Sequence, residues 1–287
     1  MSGSIEALQL FRLPRGVWAR IWEHIQEDDC FDLAAQMSFY FVLALFPFCL
    51  VLAVVVGWLP STTLWRSFAT WMVTYLPTDS RAVVLSVAVG LSNGSTGFLS
   101  LGVIGSVWST SSGFVSLMEA LSIAYGAKDS RSYFHKHAVA IAATVVAAIF
   151  LLAGFGITAL GHWEFESKLI EMLAWDPPPV VWTIVRWAIV LIIMCLTIDL
   201  INYIMPNCKR PWHWITPGTA FVTMTTVVAS FGLNLYVKHF SSYPRIYGTL
   251  AGFIVLMLWL YIASLILLIG AEADRELEKA AHEPRVS

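Results

Sequence analysis

Charge is scarce in this sequence. Asp, Glu, Lys and Arg make up 13% of the 287 residues and hydrophobic residues 58%, where a soluble domain carries about 25% charged and about 45–50% apolar residues. With a mean hydropathy of +0.72, water is not the main solvent for this chain. A formal net charge of −2, with Lys and Arg scattered in small groups, excludes the contiguous basic face on which nucleic-acid binding rests. Cysteine is sparse too. Cys30, Cys49, Cys195 and Cys208 form no CxxC and no His/Cys spacing of the zinc type, so neither a disulfide framework nor a metal or cofactor site is expected. The signatures of chemistry are missing as well: there is no GxxxxGK[ST] phosphate loop, no HExxH, no GxSxG and no paired intramembrane Asp motif. The one close His pair, His135 and His137, lacks the downstream Asp-His of a dinuclear hydrolase and reads as solvated loop. Enzymatic activity is not expected. The first thirty residues are charged and have no continuous apolar core, so the first span is expected to direct insertion itself, without a cleaved signal peptide.

What the sequence has in abundance is long apolar runs. Six of them, residues 33–59, 97–117, 138–160, 180–203, 216–236 and 250–271, are each about 20 residues or longer, enough to cross about 30 Å of hydrocarbon as a helix. A backbone in lipid must satisfy its own polar groups, and none of the runs shows a strand period, so the expected fold is all-α. It is a polytopic membrane protein of six transmembrane helices. Residues 1–31 form an amphipathic N-terminal segment, 32–274 the six-helix domain and 275–287 a tail.

Orientation follows from the Lys and Arg count in the flanks and loops. Arg12, Arg15, Arg20, Lys128, Arg131, Lys136, Lys209, Arg210, Arg275, Lys279 and Arg285 total 11 on one side, against 5 on the other at Arg66, Arg81, Lys168, Lys238 and Arg245. Both termini are therefore expected in the cytoplasm. Between spans lie amphipathic pieces suited to the membrane surface. Residues 14–26 place Trp18, Ile21, Trp22 and Ile25 on one helical face, and residues 64–76 carry a Trp-rich repeat at three-to-four spacing.

Ionisable and polar side chains within or at the ends of spans are costly and mark candidate sites. Arg186 stands seven residues inside the fourth run and can either grip an anionic headgroup in bidentate fashion or snorkel to the outer interface. Asp32 and Gln36, one turn apart, begin the first span; Glu119 ends the second, Asp199 and Asn202 the fourth and Glu272 the sixth. Four carboxylates at one level can line a cytoplasm-facing cavity, or each can cap a helix or pair locally. Asn234, late in the fifth span, is expected to be a buried polar group. Pro47 interrupts the first span, Trp108 to Gly113 brings small and hydroxyl residues to the second, and Pro217-Gly218 suits a helix entry.

The stretch from Asp32 through Gln36 and Tyr40 to Leu45-Phe46-Pro47, then Trp108 to Gly113 with Tyr125 and Arg131-Ser132, resembles the YihY/BrkB family of bacterial inner-membrane proteins. Tyr203 with Pro206-Asn207, Pro217-Gly218, Tyr247 to Leu250, Trp259-Leu260-Tyr261 and Gly270-Ala271-Glu272 match the same family's motifs, so the likeness runs over nearly the whole chain. It departs at Ile204, where many members carry a basic residue. The resemblance implies an inner-membrane location and the six-helix fold. Members have carried a ribonuclease BN label and a virulence-factor label, and some have been suspected of moving lipids. Taken with the residues, this leads to the expectation of a transporter or flippase-like protein for a lipid or other anionic amphiphile, with no ATP site. A non-transporting scaffold or envelope assembly factor is the alternative. Membrane lipids are the expected partners, and oligomeric state is left open.

Overall fold

The computed structural model describes residues 16–58, 96–160, 179–208, 216–239 and 249–282. Among these residues there are seven helices and no strand: α1 Val17–Glu27, α2 Cys30–Trp58, α3 Thr96–Ala124, α4 Tyr133–Leu160, α5 Pro179–Ile204, α6 Pro217–His239 and α7 Thr249–His282. Each of the six apolar runs falls on one of α2 to α7. Three helices are long and apolar enough, over their described residues, to cross a membrane: α5 (Trp187–Ile204), α6 (Pro217–Val237) and α7 (Gly252–Ala280). The Trp-rich stretch 64–76 lies outside the described residues.

Helix α1 forms because Val17, Ile21 and Ile25 repeat at i, i+4 and are buried, giving a short helix one apolar face to dock. That face packs against α7. Trp18 and Trp22 are exposed, so the expected single face of Trp18, Ile21, Trp22 and Ile25 is split. At 100° per residue, residues 17, 21 and 25 stand at about 0°, 40° and 80° and residues 18 and 22 at about 100° and 140°, so both tryptophans fall to one side of the buried stripe. Two aspartates, Asp28 and Asp29, turn the chain into α2. Asp29 takes the left-handed conformation at φ 48, which a short polar side chain tolerates.

The chain divides into two compact units, one of Met1–Val42, Val115–Ser132 and Leu191–Ser287, the other of Leu43–Phe114 and Tyr133–Val190. In the first, the core is Ile198 of α5, Val222 of α6 and Ile266 of α7, with Met194, Ala229, Ile262 and Leu267 packed on it. Helices α6 and α7 approach so closely that a Cβ on Gly270 would collide with the Val222 side chain, and one on Gly218 with the Gly270 carbonyl. Paired small residues of this kind are how membrane helices gain contact without a hydrophobic driving force. Helix α7 also continues beyond the expected end of its span. Asp274, Glu276 and Leu277 are buried, so the last residue of the expected domain and the first of the expected tail pack together at the end of the unit.

In the second unit, α4 begins at Tyr133, and the His pair expected in a loop is helical. His135 is exposed, but His137 is 5% exposed and stacks on the Trp108 indole with centroids 4.6 Å apart. The hydroxyl-rich stretch after Trp108 packs inward: Thr110, Ser111 and Gly113 are buried, and Ser111 Oγ donates to the Trp108 carbonyl at 2.6 Å.

Candidate functional site: a polar end built by α1, α3, α5, α6 and α7

Helix α7 carries two polar faces at its C-terminal end. Gly270 and Asp274, one turn apart, face α6, while Glu272, Arg275 and Glu276 share another side. The geometry of the first unit follows from this division.

On the α6 side, Thr216 caps the helix, its Oγ1 accepting from the Thr219 amide at 3.1 Å, and Pro217 takes the first helical position. Asp274 completes the cap, with Oδ1 accepting from the Gly218 amide at 2.8 Å and Oδ2 from the Thr216 hydroxyl at 2.6 Å. A carboxylate at a helix N-terminus meets both unpaired N–H groups and the positive end of the helix dipole. Asp199 of α5 accepts from the Thr219 hydroxyl in a short hydrogen bond, and Cys195, one turn earlier, meets Thr223 at 3.2 Å. Both aspartates are buried, at 4% and 2% exposure.

On the other side, Arg275 gathers three elements. Its Nη1 donates to Asp28 Oδ2 at 2.9 Å, to the Ala124 carbonyl at 3.2 Å and to Glu272 Oε2 at 3.3 Å. The end of α3 is shaped to receive it. Gly126 at φ +66 closes a Schellman turn, with Ala127 N–H on the Ser122 carbonyl at 2.8 Å and Gly126 N–H on the Ile123 carbonyl at 2.7 Å. A Cβ at Gly126 would lie 2.5 Å from Arg275 Nη2. Glu276 binds Arg20 at 3.0 Å, His24 at 3.3 Å and Lys279 at 2.7 Å, which ties α1 to α7.

A third tie joins α3 and α5. Arg131 donates to the carbonyls of Met205, Pro206 and Ile204 at 3.0, 3.3 and 3.4 Å, satisfying groups that the end of α5 leaves open. Asn207 donates its amide N–H to Ser122 Oγ at 3.2 Å and its Nδ2 to Ser130 Oγ at 3.1 Å.

The residues singled out in the sequence are therefore sorted by environment. Asp199 and Glu272 are buried and engaged; Asn202 is buried at 4% exposure, and among the described residues neither its Oδ1 nor its Nδ2 has a hydrogen-bond partner. Glu119 is half-buried, and Asp32 and Gln36 are exposed. Asn234 is exposed rather than buried. It stands twelve residues, about a third of a turn, from the Val222 face that meets α7. Arg186 lies on α5, with its side chain outside what the structure describes. Sequence reasoning missed Asp274, Thr216, Thr219, Arg275 and Asp28 as site residues, although the i, i+4 spacing of Gly270 and Asp274 and the Thr-Pro-Gly entry of α6 carried the signal.

The family model described as Virulence factor BrkB matches residues 21–286. The chain belongs to the YihY/BrkB family. It is similar to the ribonuclease-like protein YfkH of Bacillus subtilis, 27% identical over 252 residues, covering 88% of this chain and 91% of that one. It is also similar to UPF0761 membrane proteins of Tolumonas auensis, 24% identical with 89% and 82% covered, and of Laribacter hongkongensis, 26% identical with 94% and 65% covered. No solved structure matches it. In this BrkB-family chain several of the motif residues meet at the polar end. Pro206-Asn207 and Arg131 form the α3–α5 tie, Pro217-Gly218 and Gly270 the α6–α7 contact, and Glu272 the Arg275 cluster.

Proposed function

We propose that this chain is a six-span protein of the bacterial inner membrane, with both termini cytoplasmic, that moves a lipid or other anionic amphiphile without ATP and without enzymatic chemistry. The observation that supports transport is the outer two-thirds of α6. From Met224 onward no described residue of α6 is buried, yet Ser230 and Asn234, one turn apart on a helix apolar enough to span, are both exposed. A polar pair exposed at bilayer depth is better matched to a headgroup path than to hydrocarbon. Arg186 is a separate feature of the sequence on which this reading draws. It is the one basic residue well inside an apolar run, and its guanidinium suits a phosphate.

A second reading, a scaffold or assembly factor, draws on the polar end, where Asp274, Arg275 and Glu276 are committed to joining helices. The ribonuclease-like name of YfkH is not extended to this chain, because His137 is packed on Trp108 and its Nδ1 meets the Tyr133 carbonyl at 3.1 Å. Lipid retained through purification, measured by mass spectrometry, separates the two readings. The parent should retain discrete anionic lipid; Arg186→Gln and Asn234→Leu should lose most of it at unchanged thermal stability, and Arg186→Lys an intermediate share. Retention equal to the parent in all three variants would favour the scaffold.

A further inference from the structure

We infer that the α5–α6–α7 seam binds one labile proton, shared between Asp199 and Asp274 through the hydroxyls of Thr219 and Thr216. Four oxygens stand in a row, Asp199 Oδ1, Thr219 Oγ1, Thr216 Oγ1 and Asp274 Oδ2, joined by three contacts: the short Asp199–Thr219 bond, Thr216 to Thr219 at 2.8 Å and Thr216 to Asp274 at 2.6 Å. Each contact needs a hydrogen, and a hydroxyl has only one to donate. Two threonines supply two. With both carboxyls ionised, Thr216 and Thr219 would face each other lone pair to lone pair. One proton on either carboxyl completes the row, and reversing both hydroxyls passes that proton from one aspartate to the other.

A second observation points to a bound group beside the row. Cys195, Asp199 and Asn202 follow each other at four- and three-residue steps on one face of α5. Cys195 meets Thr223 and Asp199 meets Thr219, so one more turn in this antiparallel register brings Asn202 level with Thr216. Its amide is 4% exposed with both Oδ1 and Nδ2 unpaired, and a buried amide of that kind implies a bound group. That group must both donate and accept, as a water does. An anion is a poor fit, since the Gly218 and Thr219 amides are already taken by Asp274 and Thr216 and two carboxyls flank the place.

Among the described residues, the titratable groups facing the row are Asp199 and Cys195 from α5 and Asp274 from α7, with half-buried Glu278 one turn further; the described part of α6 brings none to it. Glu272 and Arg275 belong to the other face of α7. Buried carboxyl relays of this sort carry protons in pumps and transporters. Coupling of the proton to amphiphile movement rests on the function proposed above; its presence does not.

The test is infrared difference spectroscopy on the purified full-length protein in detergent, recording the C=O stretch of protonated carboxyls at neutral pH. Asp199→Asn and Asp274→Asn each place an amide N–H where the missing hydrogen belongs, so each alone should abolish the same band, and Thr219→Ser should keep it. Bands from other carboxyls remain in every variant. Thermal unfolding identifies any variant that fails to fold, in which case the other aspartate decides. A band lost with only one of the two substitutions, or absent from the parent, overturns the shared proton. So does a parent without the band whose unfolding temperature rises with sodium, an effect abolished by Asn202→Ala, which would assign the place to a metal cation. Proton binding without transport in vesicles would uphold this site and fail the transport reading.

Discussion

Arg275 shows most plainly how one residue can hold several elements. Its guanidinium is paired with Asp28 and Glu272 and also donates to the end of α3, and removing one member of a buried charge cluster leaves the others uncompensated. Arg275→Ala should lower stability by about 3 kcal/mol, measured by thermal unfolding in detergent, and Arg275→Lys should recover part of that. Gly126→Ala forces a left-handed residue at a cost of about 1–2 kcal/mol and drives a methyl group into the guanidinium. Its cost should therefore shrink when Arg275 is already alanine, a coupling that a double-mutant cycle reads directly. Equal costs in both backgrounds would mean that the turn and the arginine do not touch.

Among the elements, α1 and the α6–α7 pair make opposite demands on small and large side chains. Ile21 is buried against the unit and Trp22 is exposed, so Ile21→Ala should cost about 2–4 kcal/mol while Trp22→Ser stays within about 0.5 kcal/mol. Gly218→Ala and Gly270→Ala each insert a methyl group where α6 and α7 touch, and overpacking of this kind should cost about 1–3 kcal/mol. Much of this was legible in the sequence. The six apolar runs fall on helices because length and hydropathy alone decide helix formation in lipid, and Pro217-Gly218 announced the start of α6. The facing of Trp18 against Ile21 was not legible. Both are apolar, and only the position of α7 decides which side of α1 is covered. Asp274 escaped notice because a carboxylate just beyond an apolar run looks like the start of a solvated tail. Its role depends on α6 beginning beside it in space. Asn234 was expected to be buried because it is polar in an apolar run, whereas the seam occupies a different part of the α6 surface.

For the whole molecule, the BrkB-family membership and the apolar helices α5, α6 and α7 establish a membrane protein; six spans with cytoplasmic termini are the topology proposed for it. Cysteine accessibility in intact cells should place Lys279 and Arg20 on the cytoplasmic side, as their shared contact with Glu276 requires them to lie together. Opposite sides for the two positions would contradict the α1–α7 docking itself. Transport is the claim on which the account turns, and the most direct measurement is reconstitution into vesicles containing a fluorescent anionic lipid, followed by quenching from outside. Protein-dependent loss of fluorescence beyond the outer leaflet is expected without added ATP, strongly slowed by Asn234→Leu and Arg186→Gln. Quenching confined to the outer leaflet, with correctly folded and inserted parent protein, would contradict it.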